Sequence, residues 1–165
     1  RVKAFPKGFL LFNGTSGMCS PLTLEAQVDG ALPDATFVSV AAHELGHIAG
    51  FCREDEATLI GLVSGLRAND PLARYACALS AYVDLLPAKG TKEAFNALPE
   101  MARNDLKKAQ EISRRYRNPL VTKLSWKVYN KYLQSQGIKE GVKNYDRGIL
   151  LFAGAWRKGL TALPK

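Results

Sequence analysis

The 165-residue chain has few cysteines, only two histidines and no long apolar run. Its three cysteines, Cys19, Cys52 and Cys77, are too few and too scattered for a disulfide framework or a CxxC zinc site. No stretch approaches the roughly 18 consecutive apolar residues that a membrane-spanning helix needs. Hydrophobic content of 47% and charged content of 23% exclude a disordered chain. We therefore expect one globular domain over residues 1–165.

The net charge of +8 is distributed unevenly. Residues 1–100 carry 8 basic and 11 acidic residues, whereas residues 101–165 carry 15 basic and 4 acidic ones. The basic part includes a strip that is able to meet phosphates or anionic lipid headgroups: Arg103, Lys107, Lys108, Arg114, Arg115 and Arg117. A solvated helix face is the simpler interpretation, and no nucleic-acid-binding motif accompanies the charge. Binding to a membrane surface stays open, and nucleic acid is disfavoured as a partner.

Turn and capping signals predict a mainly α (α+β) fold with a small N-terminal β element. Gly8–Phe12 and the alternating segment Pro21–Val28 are typical of short strands. Asp34 is a candidate N-cap and Gly50 a candidate C′ residue, so the intervening segment is expected to be helical. Asp70-Pro71 is a cap followed by proline at the first helical position. Together the signals predict helices at about 34–50, 53–68, 71–86, 99–117, 119–136 and 140–159.

Both histidines lie in the five-residue stretch His43-Glu44-Leu45-Gly46-His47, which is an HExxH pattern. Side chains four residues apart lie on the same helix face, so His43 and His47 are able to hold one metal ion. Glu44 follows the first ligand directly, where its carboxylate is able to reach a metal-bound water. The pattern favours a zinc peptidase or a descendant of one.

A catalytic zinc usually has three protein ligands, and the chain has no third histidine. The metzincin pattern HExxHxxGxxH fails because Arg53 occupies its last position. Three acids follow at the predicted start of the next helix, Glu54-Asp55-Glu56. Carboxylates stabilise a helix N-terminus through its dipole, so capping explains one or two of them. Cys52 is an alternative ligand, but we prefer a carboxylate.

Residues 43–57, HELGHIAGFCREDEA, resemble a little-characterised bacterial family of membrane-associated, zinc-peptidase-like proteins. That family has HELAH, a Gly-Phe turn and Arg-Glu-Asp-Glu-Ala-Asn. The similarity covers most of residues 18–155 and includes several further segments: Asn69-Asp70-Pro71, Arg74-Tyr75, Tyr132-Leu133, Gly137, residues 139–143 and Tyr145. Members usually carry transmembrane helices upstream. Because the chain begins with Arg1, we expect a fragment of a longer, membrane-anchored protein and a membrane-associated location.

More broadly, the segment is similar to gluzincins, in which the third zinc ligand is a glutamate on the helix after HExxH. That resemblance implies Glu54 as the ligand, with Ala57 matching the ExxA part of the pattern. Glu56 is the reserve. Gluzincins often have Asp or Asn four residues after the ligand, to support a histidine. Here Thr58 occupies that position.

The resemblance implies hydrolysis of a peptide or protein substrate by a zinc-bound water, with Glu44 as general base. A further donor must stabilise the oxyanion, and no histidine is left for this role. Tyr145 is our choice, with Tyr75, Arg74 and Arg147 as alternatives. The strand containing Leu24–Val28 is a candidate for pairing with an extended substrate.

Two other functions compete with a zinc peptidase. The first is a non-catalytic, metal-stabilised module that derives from a peptidase and binds a partner. The second is a helical domain whose basic C-terminal half binds a membrane surface or nucleic acid. Bound zinc is expected for the peptidase and for the metal-stabilised module but not for the membrane-surface or nucleic-acid-binding domain. Replacement of Glu44 should abolish cleavage by a peptidase, whereas a non-catalytic module has no cleavage to lose.

Overall fold

A computed structural model describes residues 1–20, 22–86, 92–135 and 145–159, apart from the side chains of Tyr132, Tyr145 and Asp146. These ranges contain three strands, β1 (Val2–Phe5), β2 (Gly17–Ser20) and β3 (Glu25–Asp29). They also contain eight helices, α1 (Phe9–Phe12), α2 (Asp34–Ile48), α3 (Glu54–Leu66), α4 (Pro71–Leu85), α5 (Lys92–Ala97), α6 (Glu100–Tyr116), α7 (Pro119–Ser135) and α8 (Tyr145–Arg157). The predicted mainly α fold with a small N-terminal sheet is confirmed.

The three strands form one sheet in the order β1-β3-β2. β1 runs parallel to β3, with Val2 opposite Ala26, and β2 runs antiparallel to it, with Met18 opposite Gln27. β3 is therefore the central strand, and β2 lies at an edge. Of the predicted strand Pro21–Val28, only the part from Glu25 onward is a strand, and Pro21 lies outside the described residues.

The predicted strand Gly8–Phe12 is wrong, because Phe9–Phe12 forms the short helix α1. The fully buried carboxylate of Asp29 accepts hydrogen bonds from the backbone N–H groups of Gly8 at 2.7 Å, Leu10 at 2.9 Å and Leu11 at 3.1 Å. These groups have no partner inside a helix, so a carboxylate placed there stabilises the helical turn. Asp29 comes from β3, and this long-range contact is invisible in the local alternation of the sequence.

Five of the six predicted helices lie close to their expected positions. The sixth matches α8 from Tyr145 onward, and its expected first part, residues 140–144, lies outside the described residues. Asp70 caps α4 by accepting from the N–H of Ala73 at 2.9 Å, and Gly50 ends α2 with a φ of 101°. Asp34 is the first helical residue rather than the cap, since Pro33 occupies the N-cap position. Helix α5 was not predicted. Its six residues are too few to show a clear apolar periodicity.

Helices α2 and α3 cross at two glycines that allow their backbones to approach closely. A Cβ added at Gly46 would lie 3.0 Å from the Ala57 carbonyl oxygen, and one added at Gly61 would lie 2.9 Å from the carbonyl carbon and oxygen of Ala42. Behind this crossing lies an apolar core formed by α3, α4 and α8: Leu62, Leu66, Cys77, Ala81, Ile149 and Phe152. The crossing fixes the start of α3 against the HExxH face of α2.

Helix α7 begins at a turn fastened to the N-terminal region. The Asn118 N–H donates to the Phe12 carbonyl at 3.2 Å, and the Asn118 side-chain oxygen accepts from the N–H of Leu120 at 3.0 Å. Within the described ranges, no helix combines the length and the apolar content required to cross a bilayer. The expected membrane association therefore stays a prediction.

Candidate metal centre

The two histidines and Glu54 meet where α2 faces the first turn of α3. Glu54 Oε2 lies 3.1 Å from His43 Nε2 and 3.3 Å from His47 Nε2. One ligand atom from each of the three residues lies within 4.8 Å of the others, which is close enough for a single ion to contact all three. The spacing of HExxH places both imidazoles on the same side of α2, and the Gly50 turn brings α3 back across that side.

Each imidazole also makes a polar contact through Nδ1, the ring nitrogen that does not face Glu54. His47 Nδ1 lies 2.8 Å from the Phe51 carbonyl oxygen, and His43 Nδ1 lies 3.2 Å from Thr58 Oγ1. Since Phe51 offers an oxygen that only accepts, His47 must carry its proton on Nδ1, which leaves Nε2 as an electron-pair donor in the neutral ring. Outer partners of this kind orient metal-binding histidines. Thr58 thus contacts His43 from the position where gluzincins often have Asp or Asn.

Glu54 is buried, and its second oxygen is also engaged. Tyr129 Oη donates to Glu54 Oε1 at 2.9 Å from helix α7, 75 residues further along the chain. The reserve ligand Glu56 points elsewhere, since its carboxylate lies 3.8 Å from Arg53 Nε and is about half exposed. Cys52 is also outside the group, because its thiol donates to the Gly50 carbonyl at 3.8 Å. The structure therefore brings Glu54, and neither alternative, to the histidines.

The electrostatics of the group are those of an imidazole–carboxylate cluster. Burial by itself raises the pKa of Glu54, but hydrogen bonds from His43, His47 and Tyr129 outweigh it and bring the pKa far below its ordinary value. The hydrogen bond to Glu54 raises the pKa of His47, against the opposing effect of burial. Glu54 is consequently a carboxylate at neutral pH, the form in which it is able to bind a cation.

Glu44 lies beside this group but does not belong to it. Its side chain is buried, with 7% of the residue exposed, and burial raises the pKa of its carboxyl while the two imidazoles oppose this shift. Strand β2 covers it closely, because a Cβ added at Gly17 would lie 2.9 Å from Glu44 Oε1. Within the described part of the chain, the Glu44 carboxylate takes part in no hydrogen bond. An acid with a raised pKa and a vacant oxygen is suited to proton transfer.

The three grouped residues and Glu44 lie in a cleft of about 1390 Å³. Helix α2 and the start of α3 form one wall, and residues 13–19, which include most of β2, border it. The opposite wall is helix α7, which contributes Ser125, Trp126, Tyr129 and Leu133. Ser80 and Asp84 from α4 also line it. The cleft is therefore large enough to receive a segment of another chain.

Three of the four expected oxyanion donors are not in this cleft. Tyr75 Oη donates to Asp105 at 2.8 Å, which joins α4 to α6. Burial, reinforced by this hydrogen bond, raises the pKa of Tyr75 to about 12. Arg74 donates to the carbonyls of Ala68 and Asn69, after the end of α3. These two predictions are wrong because both side chains are engaged in joining helices.

Arg147 lies 3.9 Å from the buried Asp55, which Arg53 also pairs at 2.8 Å. It thereby joins α8 to the start of α3 instead of lining the cleft, so this alternative is wrong as well. Tyr145 is the first residue of α8, but its side chain lies outside the described part of the structure. Its proposed role stays a prediction.

The expected substrate-pairing strand is also wrong, because β3 is the central strand and both its edges are occupied by β1 and β2. The strand that borders the cleft is β2, which lines it through Gly17, Met18 and Cys19. Its sequence, GMCS, is short and follows a glycine-rich turn, so its local pattern gave no strand signal. Tyr129 was missed for a different reason. Its contact with Glu54 depends on how α7 packs, and no local spacing encodes it.

A family model described as a protein of unknown function (DUF3810) matches residues 2–153. The matched range contains every described residue that lines the cleft. Neither the curated proteins nor the solved structures include a match to the chain. The chemistry of the cleft must therefore be argued from its own residues.

Proposed function

The chain belongs to this family of unknown function, and from its cleft we propose that it is a zinc-dependent peptidase. The observation that carries the proposal is that one ligand atom from each of His43, His47 and Glu54 lies within 4.8 Å of the others, beside the buried carboxyl of Glu44. Two imidazoles and a carboxylate, with a separate glutamate one residue after the first histidine, form the ligand and base set of zinc peptidases.

The ligand atoms are of the kinds that zinc binds, and both histidines are oriented by a second partner. Imidazole nitrogen and carboxylate oxygen are usual zinc ligands, and three of them leave a position for water. His47 Nδ1 and His43 Nδ1 already have partners, at 2.8 Å and 3.2 Å, so their Nε2 atoms face Glu54. When bound, zinc supplies a Lewis acid that lowers the pKa of its water to about 7 and polarises the substrate carbonyl.

Glu44 is the general base in this proposal. Burial raises the pKa of its carboxyl, which makes it a stronger proton acceptor than an exposed glutamate. The close approach of Gly17 holds its carboxylate at the side of the cleft next to the histidines. Glu44 takes a proton from the attacking water and passes it to the leaving amine.

The edge of β2 is the proposed binding surface for the substrate. Three residues of β2 line the cleft, and among the described residues β2 pairs with β3 along one edge only. An extended peptide is able to add to such an edge through main-chain hydrogen bonds, which orient its carbonyl groups without selecting a sequence. Tyr129, through its hydrogen bond to Glu54, positions the carboxylate from the opposite wall.

The test is the substitution Glu44→Gln, which keeps the shape of the side chain but removes its ability to take a proton. We expect the variant to retain zinc in a stoichiometry equal to that of the wild type and to lose cleavage of a mixed fluorogenic peptide library by at least about a hundredfold. Glu56→Gln is the matched control, since it makes the same change at an exposed neighbour and should leave both measurements unaltered.

A non-catalytic metal-binding module is the second candidate function. It predicts that the wild type binds zinc and peptides but that no peptide is cleaved, under any metal loading. Equal turnover by Glu44→Gln and the wild type would contradict the proposed mechanism. An absence of zinc in wild-type protein prepared with the metal in excess would contradict both candidates.

A further inference from the structure

Helix α7 exposes a row of large apolar side chains on a face adjacent to the one that lines the cleft. Leu120, Leu124 and Val128 are 80%, 63% and 61% exposed. They follow one another at intervals of four residues, so they lie on one face of the helix. Exposed apolar residues are common singly, but a contiguous row along three turns indicates an interaction surface.

Three lysines accompany this row. Lys123, Lys127 and Lys131 each follow an apolar member by three residues, which places them next to the row on the helix surface, and all three are exposed. The whole of α7, PLVTKLSWKVYNKYLQS, contains no acidic residue. A protein partner for this surface would need acidic side chains arranged around an apolar centre. An anionic bilayer has the same two features by construction, since its negative headgroups lie directly above apolar acyl chains.

The row is continuous with the cleft. Leu124 and Val128 line a shallow groove of about 560 Å³ together with Ser125 and Tyr129, and these last two residues also line the cleft. The surface that faces outward and the surface that faces the metal ligands are thus adjacent faces of a single helix. Whatever binds the outer face lies next to the opening of the cleft.

We propose that α7 is a membrane-contact helix, which lies in the plane of an anionic bilayer with Leu120, Leu124 and Val128 inserted among the acyl chains and the three lysines at the headgroups. This location differs from the basic strip of α6 indicated by the sequence alone. The proposal does not depend on hydrolysis, but if the cleft is that of a peptidase, its substrate is a segment of chain close to the membrane surface.

The test measures sedimentation of the full chain with vesicles of phosphatidylcholine alone or mixed with phosphatidylglycerol. We expect binding to the mixed vesicles that weakens as salt is raised. A triple variant that removes the three lysine charges should bind the mixed vesicles about a hundredfold more weakly: Lys123→Gln/Lys127→Gln/Lys131→Gln. Each lysine near an anionic surface raises the affinity for that surface by a factor of up to about ten. Leu124→Ser/Val128→Ser should weaken it at least about tenfold.

Matched controls separate α7 from the general charge of the chain. Lys107→Gln/Lys108→Gln/Arg114→Gln removes three exposed charges from α6, and Leu22→Ser/Met101→Ser replaces two exposed apolar residues elsewhere. Both variants should bind the mixed vesicles with an affinity within about threefold of that of the wild type, because charges far from the bilayer are screened by salt. Circular dichroism and zinc content verify that each variant is folded.

Two outcomes would overturn the proposal. Equal loss of binding in the α6 and α7 charge variants would show that net charge alone attracts the chain to vesicles. No vesicle binding by the wild type, together with a concentration-dependent dimer that Leu124→Ser/Val128→Ser abolishes, would show that a second copy of the chain covers the row. Neither outcome bears on zinc binding or cleavage, which are measured without lipid.

Discussion

The two walls of the cleft are built in opposite ways. On one side, α2 and α3 cross at Gly46 and Gly61 with backbone in contact, and each of the two imidazoles has an outer partner within the same wall. On the other side, α7 reaches the site through the 2.9 Å hydrogen bond from Tyr129 to Glu54, while its outer face carries exposed apolar residues. The difference indicates that the first wall supplies and fixes the three grouped side chains, whereas the second wall modifies the site through one hydrogen bond to Glu54.

The largest expected effect is on the first wall, where His47→Ala removes one of the three grouped side chains. Loss of an outer partner weakens metal binding by about 10–100-fold, so loss of a direct ligand should exceed a hundredfold. Zinc affinity measured by competition with a chromogenic chelator checks this. Replacement of Cys52 by Ala is the control, and an equal loss there would mean that the thiol, rather than Glu54, completes the ligand set.

Gly61→Ala should disturb the helix crossing itself. The added methyl would meet Ala42 and His43 backbone atoms at 2.9 Å, and backbone cannot move aside as a side chain can. We expect a loss of about 1–3 kcal/mol in the free energy of unfolding, and weaker zinc binding. Gly154→Ala, in α8, meets nothing within 4 Å and should instead gain about 0.5–1 kcal/mol from helix propensity. Chemical denaturation compares the two.

Tyr129→Phe tests the second wall. Removal of the hydroxyl leaves Glu54 Oε1 without the hydrogen bond from α7, so zinc affinity should fall about tenfold while the fold is kept. Tyr82→Phe makes the same change at a tyrosine that is not among the residues lining the cleft and whose hydroxyl donates to the Ala94 carbonyl at 2.9 Å. If both variants bind zinc like the wild type, the contact between the walls has no role in metal binding.

The smallest effect is expected for Thr58→Val, which removes the partner of His43 Nδ1 but keeps the shape of the side chain. The 3.2 Å contact is longer than the one His47 makes, and water is able to replace a hydroxyl there. Zinc affinity should fall less than tenfold, roughly the lower limit for an outer partner. A larger loss than for Tyr129→Phe would contradict the expected order of these two contacts.

The difference between the walls also explains what sequence reasoning was able to find. The first wall depends on local rules, namely i, i+4 spacing, a glycine turn and acids in the first turn of a helix. The spacing therefore predicts His43, Glu44 and His47, and the resemblance to gluzincins singles out Glu54 among the acids that follow. The second wall depends on contacts between residues far apart in sequence, such as Tyr129 with Glu54. Asp29, which turns a predicted strand into helix α1, was missed for the same reason.

Glu54 divides its two oxygens between the walls, one facing the histidines and the other bound to Tyr129. If Glu54 binds zinc as proposed and the hydrogen bond from Tyr129 strengthens that binding, zinc and a ligand of α7 are thermodynamically linked. A ligand that favours the position of α7 in which Tyr129 is bonded then raises zinc affinity, and zinc raises the affinity for that ligand by the same factor. Zinc occupancy measured with and without vesicles would therefore report on what touches the outer face of α7.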